Sequence, residues 1–254
     1  MRELSALSRG PVETGDLAAV LCYPRPEACE LQARISELAS LGVDTVELAG
    51  TQSIGRARVL GKGCVGIVIK GRAHGKPVAV KIRRVDADRR DMEHEAKMLR
   101  LANSVGVGPK LLGQSENFLV MELIEGLRLR RWVELLPKTG AKRRVRKLIA
   151  RLLEDCFSLD QIHLDHGELS EAPKNVLVAK DKPRIVDFES ASDRRRASNV
   201  TSIAQYLLIG GGPAKHLRRI LRWRRRASLI RALSDYKQQP DANTFRRIKL
   251  VVGV

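Results

Sequence analysis

Three closely spaced glycines near residue 60 form a pattern that can hold the phosphate groups of a nucleotide. Gly61, Gly63 and Gly66 stand in a G-x-G-x-x-G arrangement, in which backbone N–H groups can approach phosphate oxygens. A dinucleotide-binding turn uses the same glycines, but a helix follows it directly. Here the β-branched residues 67–69 follow instead. We therefore predict a hairpin whose glycine loop covers the phosphates.

A lysine and a glutamate downstream could add charge to this phosphate site. Lys81 follows the apolar residues 78–80, and Glu95 lies in residues 91–102, where apolar residues recur at helical spacing. A carboxylate that holds the lysine ammonium fixes a positive charge where the phosphates must lie. We expect Lys81 to pair with Glu95 rather than with the nearby Glu93.

The next apolar segment, residues 118–126, predicts a strand that runs into a polar hinge ending at Gly126. Such a strand and hinge resemble those that edge the adenine pocket of protein kinases. Met121 would form the back wall, and the backbone of Glu122 and Leu123 would meet the adenine edge. The alternative is a core strand without a ligand.

Two residues further along carry oxygen atoms of the kind that Mg²⁺ prefers. Asn175 precedes the β-rich residues 176–178, and Asp187 follows the apolar residues 185–186. An adjoining strand would hold each side chain rigidly near bound phosphates. In type and order along the chain, Asn175 and Asp187 resemble the two magnesium ligands of protein kinases.

Together these motifs resemble those of the protein-kinase superfamily, and within it the archaeal family of predicted serine/threonine kinases related to the RIO kinases and the KEOPS kinase subunit. The likeness covers roughly residues 51–210, and residues 83–88, 165–169 and 174–178 carry the closer likeness. It implies an α+β, two-lobed kinase-like fold, with residues 51–125 as the N-lobe and 126–254 as a reduced C-lobe.

The resemblance also implies an activity and a set of site residues. The activity is transfer of phosphate from ATP, with Mg²⁺, to serine or threonine of an unidentified protein acceptor. Lys81 would pair with the α- and β-phosphates, and Glu95 would orient it. The residues implied to contact the nucleotide are Gly61, Lys62, Gly63, Cys64, Val65, Gly66, Val68, Ala79, Lys81, Met121, Glu122 and Leu123.

The catalytic base departs from the kinase pattern H-R-D-x-x-x-x-N, which places the aspartate five residues before the asparagine. Asp165 stands ten residues before Asn175, and Glu168 stands seven before it. We favour Glu168 as the base, with a bulge in the intervening chain, and keep Asp165 as the alternative. The carboxylate that is not the base would pair with a nearby cation such as Lys174.

The sequence after Asp187 departs further from kinases. Glu189 replaces the glycine of D-F-G and no A-P-E motif follows, while a helix capped by Ser198 is predicted from about residue 199 to 209. Little room remains for a peptide-binding platform. This favours one alternative to a protein kinase, a RIO- or KEOPS-like ATPase switch in RNA or ribosome maturation. A nucleotide-binding pseudokinase is a further alternative, which the displaced loop carboxylate supports and the retention of both magnesium ligands opposes.

The first 50 residues lie outside a minimal kinase. Residues 17–23 predict a buried strand, Pro26 opens a helix that closes at Gly42, and residues 43–49 predict a second strand. We expect this strand-helix-strand extension, residues 1–50, to pack on the N-lobe.

The chain is strongly basic, with 47 Lys plus Arg against 29 Asp plus Glu and a formal net charge of +18. The excess concentrates in residues 142–147 and 218–226. Basic residues at helical spacing can track a phosphate backbone, and Trp223 could offer a stacking surface. We expect an RNA or ribonucleoprotein partner; a solvated, ion-rich surface is the alternative.

Apolar runs and cysteine spacing limit the class of protein further. No apolar run reaches the about 18 residues that a membrane span needs, and residues 1–4 do not begin a signal peptide. We expect a cytoplasmic protein without a membrane partner. The four cysteines have no C-x-x-C pair, so their spacing indicates neither zinc nor disulfides.

Overall fold

A computed structural model describes residues 2–3, 14–210 and 212–254. It combines helices with antiparallel sheets, which confirms the predicted α+β class. The chain divides into two compact units. Unit 1 contains the described residues of Met1–Lys97 and Pro109–Leu123, and unit 2 contains those of Met98–Gly108 and Ile124–Val254. Within the described residues, none of the helices has the length and hydropathy needed to span a membrane.

Unit 1 is built on an antiparallel sheet. In it the strands follow the order β1-β2-β6-β7-β9-β8, β5 pairs with β6, and β3 and β4 form a separate hairpin. The strands are β1 (Arg2–Glu3), β2 (Val43–Glu47), β3 (Gln52–Ile54), β4 (Ala57–Val59), β5 (Gly61–Lys62), β6 (Gly66–Ala73), β7 (Lys76–Arg83), β8 (Leu111–Gln114) and β9 (Phe118–Glu122).

The central hairpin, β6–β7, has its register set by a two-residue turn. His74 and Gly75 both have positive φ, 49° and 71°, as type I′ turns require, and this turn matches the twist of the flanking strands. Ala73 consequently pairs with Lys76, and the same register places Val68 opposite Lys81. A slip of one residue would turn Lys81 to the other face of the sheet.

The N-terminal segment corrects one expectation. Residues 17–23, predicted as a strand, belong largely to helix α1 (Thr14–Leu21). The predicted helix is α2 (Ala28–Ser40), and β2 follows it as expected. A short apolar run does not distinguish a buried strand from a buried helix. The spacing of the fully buried Leu17, Val20 and Leu21 is that of one helical face.

A buried arginine joins the N-terminal helices to the sheet of unit 1. Arg34 on α2 is 0% exposed. Its guanidinium donates to the carbonyls of Leu21 (2.7 Å) and Arg83 (2.6 Å), to Asn117 Oδ1 (3.1 Å) and to Glu30 Oε1 (2.6 Å). Because every partner is a carbonyl or carboxylate oxygen, the buried charge is well compensated.

Unit 2 is mainly helical. Helix α3 (Glu93–Ser104) begins in unit 1, and its residues from Met98 onward belong to unit 2. The further elements are β10 (Leu127–Arg128), α4 (Leu129–Glu134), α5 (Ala141–Gln161), α6 (Ala172–Asn175), β11 (Val176–Ala179), β12 (Lys182–Ile185), α7 (Asn199–Gln205), a π-helical turn (Tyr206–Gly210), α8 (Ala214–Leu221), α9 (Arg226–Gln238) and α10 (Ala242–Val252).

Helix α7 begins at the predicted residue, but its cap was predicted wrongly. The Ser198 side chain makes no capping hydrogen bond. Instead Asp160 of α5 accepts from the backbone N–H groups of Asn199 (2.9 Å) and Val200 (3.1 Å) and from the hydroxyl of Tyr236 (2.9 Å). A buried carboxylate satisfies these orphan donors better than a hydroxyl and complements the helix dipole.

The predicted stacking role of Trp223 is also wrong. Its side chain is buried, and its indole N–H donates to the carbonyl of Val251 (3.0 Å) on α10. A tryptophan can bury its ring where a carbonyl accepts its N–H. The basic residues 218–226 around it span the end of α8, a linker and the start of α9 rather than one helix.

Replacing the buried arginine tests whether it fixes the N-terminal helices to the sheet. Arg34→Met keeps much of the side-chain volume but leaves the carbonyls of Leu21 and Arg83 without this donor. We expect the free energy of unfolding to fall by about 3 kcal/mol or more, measured by urea denaturation. Arg130→Met, which removes an exposed arginine paired with Glu134, should change it little. Equal effects of the two substitutions would contradict this role.

Candidate functional site

The glycine loop lies at the edge of the β6–β7 hairpin in unit 1. Gly61 pairs with Val68 across β5 and β6, and Val68 pairs with Lys81 across β6 and β7. The N–H of Gly63 donates to the carbonyl of Gly66 (2.8 Å), which closes the loop. A Cβ atom at Gly66 would lie 3.0 Å from Lys81 Cε and 3.1 Å from a backbone carbonyl. Glycine is therefore needed here for close approach to the lysine.

Lys81 and Glu95 form the expected ion pair. The ammonium nitrogen of Lys81 lies 2.9 Å from each carboxylate oxygen of Glu95. Lys81 is 5% and Glu95 3% exposed, whereas Glu93 is exposed. Glu95 stands in the first turn of α3, where the helix dipole favours a carboxylate. The pair fixes a buried positive charge beside the glycine loop.

The other predicted nucleotide-contacting residues of unit 1 lie on the same sheet or its edges. Ala79 on β7 pairs with Met121 on β9, and both are largely buried. Glu122 accepts from the backbone N–H of Lys110 (3.1 Å), and Leu123 follows it half-buried. Within the loop Lys62, Gly63 and Cys64 are exposed and Val65 is half-buried.

In unit 2 a hairpin brings the two predicted metal ligands to one end. Strands β11 and β12 pair Val176 with Ile185, and the N–H of Val186 donates to the carbonyl of Asn175 (2.9 Å). Asn175 directly precedes β11, and Asp187 lies two residues after the end of β12. Both residues are therefore at the same end of the hairpin. Asp187 has φ of 69°, a conformation uncommon outside glycine and often found at functional sites.

Glu168 is held beside Asn175. Its Oε2 accepts from Nδ2 of Asn175 (3.0 Å), and its Oε1 accepts from the hydroxyl of Ser190 (2.6 Å). A 3₁₀ turn, Leu169–Glu171, followed by the four-residue α6 takes up the longer spacing between Glu168 and Asn175. The predicted bulge is thus a helical turn. Since Nδ2 of Asn175 donates to Glu168, its Oδ1 is the atom that a cation would use.

Asp165 has a different environment. It is buried, and its backbone exchanges hydrogen bonds with that of Ser192. Its carboxylate accepts from Nε of Arg195 (3.1 Å). Because this carboxylate already faces a cation, it is a weaker candidate for a base than Glu168. Sequence reasoning missed Arg195, which is one of three consecutive arginines that the sequence does not distinguish.

A histidine between the two carboxylates helps to hold the hairpin end in place. His166 is fully buried, and desolvation by burial lowers the pKa of its imidazole. The neutral ring meets the carbonyl of Val186 through Nε2 (3.1 Å), so Nε2 carries the proton. Its centroid lies 5.0 Å from that of Phe188. These contacts hold the ring between backbone and an aromatic side chain, and the sequence has no signal that separates such a histidine from a catalytic one.

Comparison with known proteins identifies the family. The model of the RIO domain family matches residues 69–201, which is more than half of the chain. The match includes Lys81, Glu95, Glu168, Asn175 and Asp187 and begins after the glycine loop. An uncharacterized protein of Methanocaldococcus jannaschii is 29% identical over 98 residues, which are 39% of this chain and 80% of that protein. The chain belongs to the RIO domain family, a family of atypical kinases and ATPases.

Proposed function

We propose that this protein is an ATP- and Mg²⁺-dependent phosphotransferase, an atypical kinase that phosphorylates serine or threonine of a protein acceptor. The observation that carries the proposal is the buried Lys81–Glu95 pair. Burying two charges costs free energy that a purely structural contact could avoid with apolar side chains. A lysine held beside a glycine loop is explained by a need for positive charge at phosphate groups.

The residues of unit 1 would bind the nucleotide. Backbone N–H groups of the glycine loop would meet phosphate oxygens, and the Lys81 ammonium would neutralise their charge. Ala79 and Met121, paired across neighbouring strands, would contact the adenine face. Positioning and charge neutralisation supply most of the catalysis in phosphoryl transfer.

Asn175 and Asp187 would hold the magnesium ion. Their amide and carboxylate oxygens suit a hard cation, and the hairpin fixes both at one end. When bound, the ion would neutralise charge on the transferred phosphate. The hydrogen bond from Asn175 to Glu168 orients the amide so that its oxygen can serve as a ligand.

Glu168 would act as the base. Its carboxylate would accept the proton of the acceptor hydroxyl as that oxygen attacks the γ-phosphorus and ADP leaves. Hydrogen bonds from Ser190 and Asn175 fix the carboxylate in place. Asp165, paired with Arg195, would instead position the loop that contains Glu168.

A second candidate function is an ATPase switch, in which water replaces the protein hydroxyl. The observation that favours it is the position of α7, which begins at Asn199, only 12 residues after Asp187. This short connection leaves little chain for a peptide-binding platform. Glu168 would then orient a water molecule rather than a side-chain hydroxyl.

We also propose RNA as a partner, bound through its backbone. The two basic clusters approach the last turn of α10 together. A guanidinium nitrogen of Arg146 lies 3.9 Å from where a Cβ of Gly253 would stand, and Arg225 donates to the carbonyl of Leu250 (3.3 Å). The other exposed basic residues of the two clusters are Lys142, Arg143, Lys147, Arg222, Arg224 and Arg226. With Trp223 buried, phosphate contacts rather than base stacking would provide the affinity.

The proposed activity predicts the fate of γ-labelled ATP. With Mg²⁺ and a generic protein acceptor, wild type should transfer label to serine or threonine, and Asp187→Asn should lose this transfer. Free labelled phosphate without labelled protein would support the ATPase switch instead. Bound ATP without any turnover would contradict both and indicate a pseudokinase. Lys142→Met, an exposed substitution, controls for loss of a charge elsewhere.

The assignment of the base predicts an order among two variants. Glu168→Gln should lower kcat by about 10²–10⁴-fold, the usual contribution of a general base. Asp165→Asn should cost less, because it removes only the pairing with Arg195. Steady-state kinetics of phosphate transfer or release measures both. The reverse order would overturn the assignment of Glu168.

The RNA proposal predicts a salt-dependent affinity that follows the basic clusters. Arg143→Ala/Lys147→Ala should weaken binding of single-stranded RNA, and the slope of log K against log[salt] should fall by about 0.7 per lost phosphate contact. Fluorescence anisotropy across a salt series measures it. Arg56→Ala/Lys76→Ala removes two exposed charges from unit 1 and should leave the slope unchanged. Equal slopes for all proteins would contradict the proposal.

A further inference from the structure

The N-terminal segment reaches the glycine loop through one tyrosine. Tyr23 follows α1 and is half-buried. Its carbonyl accepts from the N–H of Val85 (3.0 Å), two residues beyond the end of β7. The chain after α1 is therefore fixed beside the strand that carries Lys81.

The ring of Tyr23 contacts two cations. Lys62 Nζ lies 4.3 Å and Arg84 Cζ 5.0 Å from the ring centroid. Both distances are within the range of cation–π attraction. Lys62 belongs to the glycine loop itself, so the ring holds one loop residue directly.

Arg84 connects the ring to the backbone of the loop. Its Nη1 donates to the carbonyl of Gly63 (3.1 Å), and its own N–H donates to the carbonyl of Val65 (2.9 Å). Asp86 accepts from Arg84 Nε (2.8 Å) and Nη2 (2.6 Å), which orients the guanidinium. These bonds fix the loop on both sides of Cys64.

We propose that Tyr23 is a positioning residue: the N-terminal segment acts through it to hold the glycine loop in its nucleotide-binding conformation. The expected effect on ATP binding rests on the proposed function, whereas the expected effect on the order of the glycine loop does not. The competing explanation is that Tyr23 only packs against the apolar core of unit 1, which its ring also touches. A leucine would preserve such packing but not the attraction for two cations.

Cys64 provides a reporter of loop order that is independent of catalysis. Of the four cysteines, Cys29 and Cys64 are exposed and Cys22 and Cys156 are buried. In a Cys29→Ser background, alkylation by iodoacetamide therefore reports Cys64. Tyr23→Leu should accelerate it about three- to tenfold, as expected for loss of cation–π contacts. The matched control Tyr23→Phe keeps the ring and should stay within about twofold of wild type.

Kinetics give a second readout. Tyr23→Leu should raise KM for ATP more than it lowers kcat, because loop disorder weakens nucleotide binding before it affects the chemical step. Thermal unfolding checks that each variant is folded. Should Tyr23→Leu fail to fold, Tyr23→Met provides the same test, since it keeps an apolar side chain but lacks the ring that attracts the two cations.

The outcomes separate this inference from the proposed function. Equal alkylation rates for the Leu, Phe and wild-type proteins without nucleotide would overturn the role of Tyr23. Absence of protection of Cys64 by Mg²⁺ and ATP in wild type would contradict nucleotide binding at the loop instead. If Cys64 is alkylated faster in Tyr23→Leu than in wild type, and at the wild-type rate in Tyr23→Phe, the positioning role is supported whatever the result with ATP.

Discussion

The buried ion pair of Lys81 and Glu95 is the interaction around which unit 1 is organised. Desolvating both groups is costly, and only close geometry with little competition from water offsets the cost. The β6–β7 register must face Lys81 toward Glu95, α3 must begin at the right residue, and position 66 must lack a side chain. An apolar contact at this position would need none of these constraints, because it would have no buried charge to compensate.

Unit 2 depends on a continuous set of polar contacts. Asp160 accepts from Asn199, and Asn199 in turn accepts from the N–H of His166 (2.9 Å) and donates to the carbonyl of Leu164 (2.7 Å). The loop that contains Asp165 and Glu168 is thus fixed to α5 and α7 by buried hydrogen bonds. Buried hydrogen bonds of this kind favour a single conformation of the loop.

The sequence was most successful in predicting features that residue type and spacing alone determine. The β6–β7 strands followed from β-branched residues and turn glycines, whereas the choice of Glu95 over Glu93 followed from the resemblance of residues 95–99 to the kinase pattern. Long-range partners decided the rest. The cap on α7 comes from a residue 39 positions away, and the burial of Trp223 depends on a carbonyl of α10.

The most direct test of the central claim is calorimetric titration of Mg²⁺ and ATP into three proteins: wild type, Glu95→Gln and Glu93→Gln. The two glutamates are one helix turn or less apart, yet one is buried against Lys81 and the other is exposed. We predict that wild type and Glu93→Gln bind alike, whereas Glu95→Gln binds at least about tenfold more weakly, since a hydrogen bond between charged groups contributes about 1.5–3 kcal/mol. Equal affinity of all three proteins, or no binding by wild type, would contradict it.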